Sequence, residues 1–341
     1  MKTLLKTLKY IGIGLISLAG ILAIYIYSLT FTPHGRMLWQ QAAYAKFFHK
    51  VLKIQLEEIP GLLEKNLKTM KPKELLPAVG SFRTIKITSD SLVLHIYKPL
   101  GVKPNSPIVI YYHGGGFLFP YISDSHRMAR KYANAFNTII VGVDYRVTPK
   151  YPFPTAINDS YNTFKWIIEN GKDFGGNPEK IAVIGESAGG NISTVVAQKA
   201  MRDGYKNIVY QTLLCPTTDI AHMYEYPSYK KLNEGYVLDK KVIDYFFDAY
   251  LPNQADRFNP DASPLLSENL TGLPSAFVIT AEFDPLKDEG FAYYQKLKQA
   301  GVKVKFKELK GVLHVAQGPF MEDFMDKLNA EIAVELKKAL E

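Results

Sequence analysis

A chain of 341 residues with 47% apolar and 13% aromatic side chains can bury a full core and is too apolar for wholesale disorder. Its one cysteine, Cys215, excludes an intrachain disulfide and a cysteine metal cluster. The net charge of +8 is concentrated in residues 1–80, which carry eleven Lys/Arg against four Asp/Glu, so the rest is nearly neutral, which argues against a nucleic-acid reader and for a membrane surface.

Residues 1–9 form a short basic tail with Lys2, Lys6 and Lys9. Residues 10–29, YIGIGLISLAGILAIYIYSL, hold no charge. At ~1.5 Å per residue this run can cross a hydrocarbon core of ~30 Å. Tyr25 and Tyr27 lie near its far end, where interfacial aromatics belong. The lysines before the run favour a cytoplasmic N-terminus, with the rest of the chain on the other side. The reading is a single-pass signal anchor. The alternatives are a cleaved signal peptide, leaving a secreted protein, and a buried core helix. No small-x-small cleavage site follows the run closely, since Ala43-Tyr44-Ala45 lies well downstream.

Residues 36–75 carry a helical pattern, with Trp39, Ala43, Phe47, Phe48, Val51, Leu52 and Ile54 on one side. Pro60-Gly61 interrupts it and Leu62 to Leu76 resumes it. Residues 30–80 are thus expected to be a helical cap or linker, either covering the core or acting as a lid over the site. Residues 81–341 should form the main domain. Ser81 to Thr88 and Ser91 to Tyr97 alternate like a hairpin. From Pro107 the pattern changes to continuous apolar runs between helices. The runs are 108–112, 138–143, 181–184, 208–214, 276–280 and 302–308. The helices are expected at 124–135, 156–169, 191–200, 287–300 and 321–339, with an irregular tyrosine-rich stretch over 217–250. Such alternation predicts an α/β fold with a mostly parallel sheet covered on both faces.

The chemistry centres on Gly185-Glu186-Ser187-Ala188-Gly189. A buried strand precedes this G-x-S-x-G and a helix follows it, which is the context of a nucleophile elbow. Ser187 would sit exposed at the tip, where a helix N-terminus favours developing negative charge. A serine hydroxyl needs a base, an orienting acid and oxyanion donors. Donors are offered by His113-Gly114-Gly115-Gly116, where a buried strand runs into three glycines. In elbow-type hydrolases the acid and base follow the serine in that order. Only His222 and His314 come after Ser187, and only His314 follows the late strands. Asp284 stands just past a strand end and is the preferred acid. Glu282 should point the other way by strand alternation, and Asp288 should lie in the next helix.

With these residues in place, the chain resembles the hormone-sensitive-lipase family of α/β-hydrolases. That family includes bacterial esterases and membrane-anchored arylacetamide-deacetylase-like relatives. The matching residues are His113-Gly114-Gly115-Gly116; Asp144-Tyr145-Arg146 with Pro149, Pro152-Phe153-Pro154 and Asp159; Gly185 to Asn191; Ser263-Pro264-Leu265; Asp284-Pro285-Leu286 with Asp288-Glu289-Gly290; and Gly311 with His314. The resemblance spans roughly residues 80 to 320. It implies an α/β-hydrolase fold with a helical cap, built from the N-terminal helices and from residues 217–250. It implies Ser187 as nucleophile, His314 as base and Asp284 as its orienter, with an oxyanion hole from the amides of Gly115, Gly116 and Ala188. Three positions depart from the family pattern: Glu186 where Asp is usual, Val315-Ala316 after the base histidine, and Pro120 where a glycine often stands.

The expected function is a membrane-anchored serine esterase acting on short- to medium-chain carboxylic esters through an acyl-enzyme. Amide or thioester hydrolysis would use the same groups. A non-catalytic small-molecule binder on the same fold, as gibberellin receptors are, is the alternative; those relatives lack the histidine base. Tyr111, Tyr112, Phe117, Phe119, Tyr224, Tyr226 and Tyr229 could line an aromatic pocket or simply pack. No metal or cofactor is expected, because no His/Asp/Cys cluster has ligand spacing. The expected partners are an ester substrate and, through residues 10–29, the bilayer.

Overall fold

The computed structural model describes residues 2–55, 76–87, 92–316 and 318–340. The apolar N-terminal run is one helix, α1 (Lys2–Leu29). Its segment Leu5–Leu29 has a mean hydropathy of 2.0 and is long and apolar enough to cross a membrane. A two-stranded turn, β1 (Phe31–Thr32) and β2 (Gly35–Arg36), leads into α2 (Trp39–Gln55). The second half of the cap expected over 30–80 falls largely outside the described residues.

The sheet strands are β3 (Ser81–Lys86), β4 (Val93–Lys98), β5 (Ser106–Tyr112), β6 (Ile139–Asp144), β7 (Gly176–Glu186), β8 (Ile208–Leu214), β9 (Ser275–Phe283) and β10 (Val304–Leu313). They form one eight-stranded sheet in the order β10-β9-β8-β7-β5-β6-β4-β3. Pairing is parallel from β10 to β6 and antiparallel at β4 and β3. The hairpin predicted over 81–97 is this antiparallel edge. The continuous apolar runs are the parallel strands, because helices bury both of their faces.

The helices are α3 (Ser123–Phe136), α4 (Thr155–Asn170), α5 (Ala188–Arg202), α6 (Pro227–Leu232), α7 (Lys240–Tyr250), α8 (Lys287–Gln299) and α9 (Glu322–Leu340). Strand alternation splits the core between the two faces. Ile108, Ile110 and Tyr112 pack with Phe164 of α4, Val195 of α5 and Leu297 of α8. Val109 and Tyr111 pack with Tyr132 of α3 and with Leu328 and Ile332 of α9. A third, smaller cluster joins Met37, Ala42 and Ala45 to Leu232, Tyr236, Phe283 and Leu313. The N-terminal segment and α6 therefore pack over the ends of β9 and β10.

One expectation needs correction. The stretch 217–250 is not irregular throughout, since it holds α6 and α7. Val242, Ile243, Phe247 and Tyr250 form the buried face of α7. Of the two readings left open for the aromatics, Tyr111 and Tyr112 take the packing one: they are core residues, 1% and 0% exposed.

Candidate active site

β7 ends at Glu186 and α5 begins at Ala188, so Ser187 alone makes the turn. Its backbone is forced to φ 57°, ψ −120°, a region that costs about 1–3 kcal/mol and persists only where packing dictates it. The packing here is extreme. A Cβ on Gly185 would lie 2.1 Å from the Gly189 carbonyl oxygen, and one on Gly189 would lie 1.9 Å from that of Tyr112. Only glycine lets β7, α5 and β5 come together at this point. The Ser187 N–H is held by the Leu214 carbonyl at 2.9 Å, and Asn191 ties α5 to the Thr217 and Ala262 carbonyls.

The strand ends bring Asp284 and His314 together from positions thirty residues apart. Asp284 follows β9 directly and His314 follows β10 directly. β10 runs five residues beyond the strand expected from sequence, with an irregularity between Leu309 and Leu313. His314 Nδ1 lies 2.7 Å from Asp284 Oδ2, and both residues are buried. The other acid oxygen, Oδ1, accepts the Leu286 N–H at 2.9 Å. Donation from Nδ1 leaves Nε2 as the basic nitrogen.

Cys215 completes this corner. Its Sγ, the Asp284 carboxylate and the His314 ring present atoms within 4.8 Å of one another. Burial, reinforced by the nearby Asp284 charge, pushes its thiol well above the ordinary value. It therefore stays a neutral S–H beside the acid. The Val315 N–H approaches Sγ at 3.4 Å, which fixes the residue after the histidine.

The glycine loop lies across β7. Gly115 and Gly116 have φ of 114° and 61°. Among the described residues, neither amide donates a hydrogen bond, so both remain available to a ligand. His113 locks the loop from behind. Its ring stacks on Tyr145 at 4.3 Å, and Tyr145 Oη donates to the His113 carbonyl at 2.7 Å. Burial lowers the His113 pKa to about 4, so this histidine is a neutral structural group. Arg146 next door grips Asp159 through two bonds of 2.9 and 2.7 Å. α7 roofs the loop: a Cβ on Gly116 would lie 2.3 Å from the Phe246 ring.

The sequence reading gave no holding role to three residues that brace the site. Glu186 Oε1 accepts the Gly114 N–H at 2.9 Å and the Tyr111 hydroxyl at 2.7 Å, bolting the glycine loop to the elbow. Its Oε2 is sealed from solvent without a partner among the described residues. Burial pushes Glu186 up to about 7, against the opposing effect of those two donors. Glu282 does point away from the acid, as alternation predicts, and its Oε2 accepts the Gly311 N–H at 2.8 Å, bracing the histidine loop. Gln41 of α2 accepts the Leu313 N–H at 2.9 Å. Adjacency to Ser187 was the one available signal for Glu186; nothing in sequence ties Gln41 to position 313. The rival candidates have other partners. His222 pairs with Asp219 at 3.0 Å, and Asp288 accepts the Ser228 N–H of α6 at 2.7 Å.

Comparison with known proteins agrees with this fold. A family model described as the alpha/beta hydrolase fold matches residues 109–318. The chain is 38% identical to carboxylesterase NlhH of Mycobacterium tuberculosis over 255 residues, covering 73% of this chain and 79% of that one. It is 34% identical to an arylesterase of Saccharolobus solfataricus over 271 residues, covering 78% and 86% of the two chains. Among solved structures, a thermostable esterase from Pseudomonas putida superimposes with a TM-score of 0.79 at 31% identity, over 91% of this chain and 99% of that one. The elbow, the glycine loop and the paired acid and histidine thus sit on a shared scaffold, and the chain belongs to the α/β-hydrolase family.

Proposed function

We propose that this chain is a membrane-anchored serine esterase that cleaves short- to medium-chain carboxylic esters. The observation that carries the reading is the 2.7 Å pair of His314 and Asp284, each just past a strand end of the sheet whose β7 leads into the Ser187 elbow. Ser187 attacks the ester carbonyl while His314 Nε2 takes its proton. Asp284 holds the ring and stabilises the imidazolium. The oxyanion is received by the amides of Gly115, Gly116 and Ala188, the last at the N-terminus of α5. The proton passes from His314 to the departing alkoxide, and the acyl group stays on Ser187. Water, deprotonated by the same histidine, then releases the acid.

The esterase names of the relatives support the substrate class. The roof of Phe119 and Phe246, whose ring centroids are 6.1 Å apart, supports an apolar substituent on the ester. The exposed apolar segment Leu5–Leu29 supports an anchor.

The test uses the full chain in mild detergent with p-nitrophenyl esters from acetate to palmitate. Short esters should be cleaved and Ser187→Ala should be inert. Equal activity of wild type and Ser187→Ala would overturn the mechanism. Retention of the full-length chain in membranes after an alkaline carbonate wash is the expected result for the anchor; release of a shortened chain would establish a cleaved signal instead.

A further inference from the structure

The end of α1 is built into the catalytic corner with no slack. Leu29, its last residue, packs on the cluster that contains Phe283 and Leu313. These two residues immediately precede Asp284 and His314. Just beyond it, Thr30 accepts the Met37 N–H at 2.8 Å, and Leu38 donates to the Gly311 carbonyl at 2.8 Å. A flexible linker would let the domain drift from its anchor. Here a membrane-crossing helix would deliver the histidine loop directly to the lipid–water boundary.

That side of the domain is also unusually apolar for a surface. Phe31, Trp39, Phe47 and Phe320 are 57%, 47%, 66% and 73% exposed. The Trp39 and Phe320 rings meet at 5.9 Å, joining α2 to the segment that follows the histidine loop. The Arg36 guanidinium lies 5.1 Å from the ring centroids of both Tyr27, within the anchor, and Phe31 beyond it. Residues 1–56 contain no Asp or Glu. Large exposed aromatics beside a cation match the chemistry of the headgroup and acyl boundary, and they continue the apolar surface of α1.

We propose that Phe31, Arg36, Trp39, Phe47 and Phe320 form a second membrane contact that seats the catalytic domain on the leaflet where α1 emerges, so that its substrates include lipophilic esters drawn from the bilayer. This rests on the anchored-esterase reading and specifies where its substrate comes from. Seating removes the aromatic collar from water and places the histidine loop beside dissolved ester. A lipophilic ester then reaches Ser187 without paying for full transfer into water.

The test uses the full chain reconstituted in vesicles of mixed zwitterionic and anionic phospholipid. Trp39 and Trp166 are the two tryptophans, so Trp166→Phe leaves Trp39 as the sole reporter. Flotation with the vesicles checks the anchor by itself. In the floated protein, lipids brominated along their acyl chains should quench Trp39. Flotation without quenching would overturn the seating while leaving the anchor intact, and so would quenching replaced by a chemically crosslinked dimer across this face. The functional arm uses Phe47→Ser combined with Phe320→Ser. Hydrolysis of a long-chain ester dissolved in the vesicles should fall about tenfold, with soluble p-nitrophenyl acetate cleaved as in wild type. Parallel loss of both activities, or loss of neither, would overturn the delivery of substrate from the bilayer. Absence of any esterase activity in the parent chain would instead sink the function on which the proposal rests.

Discussion

Asp284 is buried and Glu186 partly buried at the site, and their partners give the two carboxylates different tasks. Asp284 spends one oxygen on His314 and the other on the Leu286 amide, so it fixes a ring tautomer. Asp284→Asn should lower kcat by about 10⁴-fold with KM little changed, because the amide can impose the wrong tautomer; steady-state kinetics on a short ester reads this directly. Glu186 instead holds the Gly114 N–H of the glycine loop and the Tyr111 hydroxyl of β5. Glu186→Ala would strand the Gly114 N–H and the Tyr111 hydroxyl, at about 1–3 kcal/mol for each buried group left unpaired. The expected result is a lower melting temperature and a kcat reduced by about tenfold to a hundredfold, since a loosened loop misplaces an oxyanion donor. Glu186→Gln retains an acceptor oxygen and should recover most of the loss. Equal damage from Ala and Gln would show that the carboxylate acts by its charge rather than by holding the loop.

α2 is joined to the catalytic corner rather than resting on the domain as a detachable lid. Gln41 reaches from its first turn to the Leu313 amide, and Leu38 just ahead of it bonds to Gly311. Gln41 is fully buried. Gln41→Ala therefore removes an acceptor that water cannot replace, with an expected cost of about 1–3 kcal/mol. Because Leu313 precedes the base, kcat should fall as well, and thermal unfolding together with kinetics separates the two effects. Unchanged kcat in a destabilised Gln41→Ala protein would mean that the strap supports the fold alone. α7 is a second element of this kind, with Phe246 over the glycine loop and Tyr250 stacked on Phe117 at 3.7 Å.

Across the whole molecule, buried titratable groups set the pH response. Burial raises Glu186 to about 7 and Glu289 to about 8, from an ordinary 4.5. Burial lowers His95 and His113 to about 4, from an ordinary 6.5. As pH rises above 6.5 the unfolded chain gives up its last histidine protons, while the folded chain still holds more protons on the two carboxyls. The folded state then binds more protons, so stability must fall as pH rises from about 6.5 to 8. Below 6.5 the unfolded chain gains protons on the two histidines that the folded chain refuses, and this opposes the carboxyl contribution. Melting temperature should thus decline between pH 6.5 and 8. Glu289→Gln, which keeps an acceptor for the Thr218 N–H, should flatten that decline. A melting temperature that climbs over this range would contradict the assignment.

The sequence by itself determined what depends on neighbours along the chain. Apolar runs became parallel strands, 208–214 residue for residue as β8, because burial on both faces leaves no alternation to read. Gly185 and Gly189 marked the elbow because no side chain fits there. The elbow motif, the chain order and the strand ends together pointed to Ser187, Asp284 and His314. Only the tertiary structure decided which distant groups share a hydrogen bond. The order β10-β9-β8-β7-β5 lays Asp284 beside His314 and Glu186 beside Gly114, and the path of the chain after α1 brings Gln41 to Leu313. Periodicity and turn chemistry are local and leave a trace in the sequence. A lone Glu or Gln that caps an amide elsewhere in the sheet leaves none, because its partner is a backbone group that every residue carries.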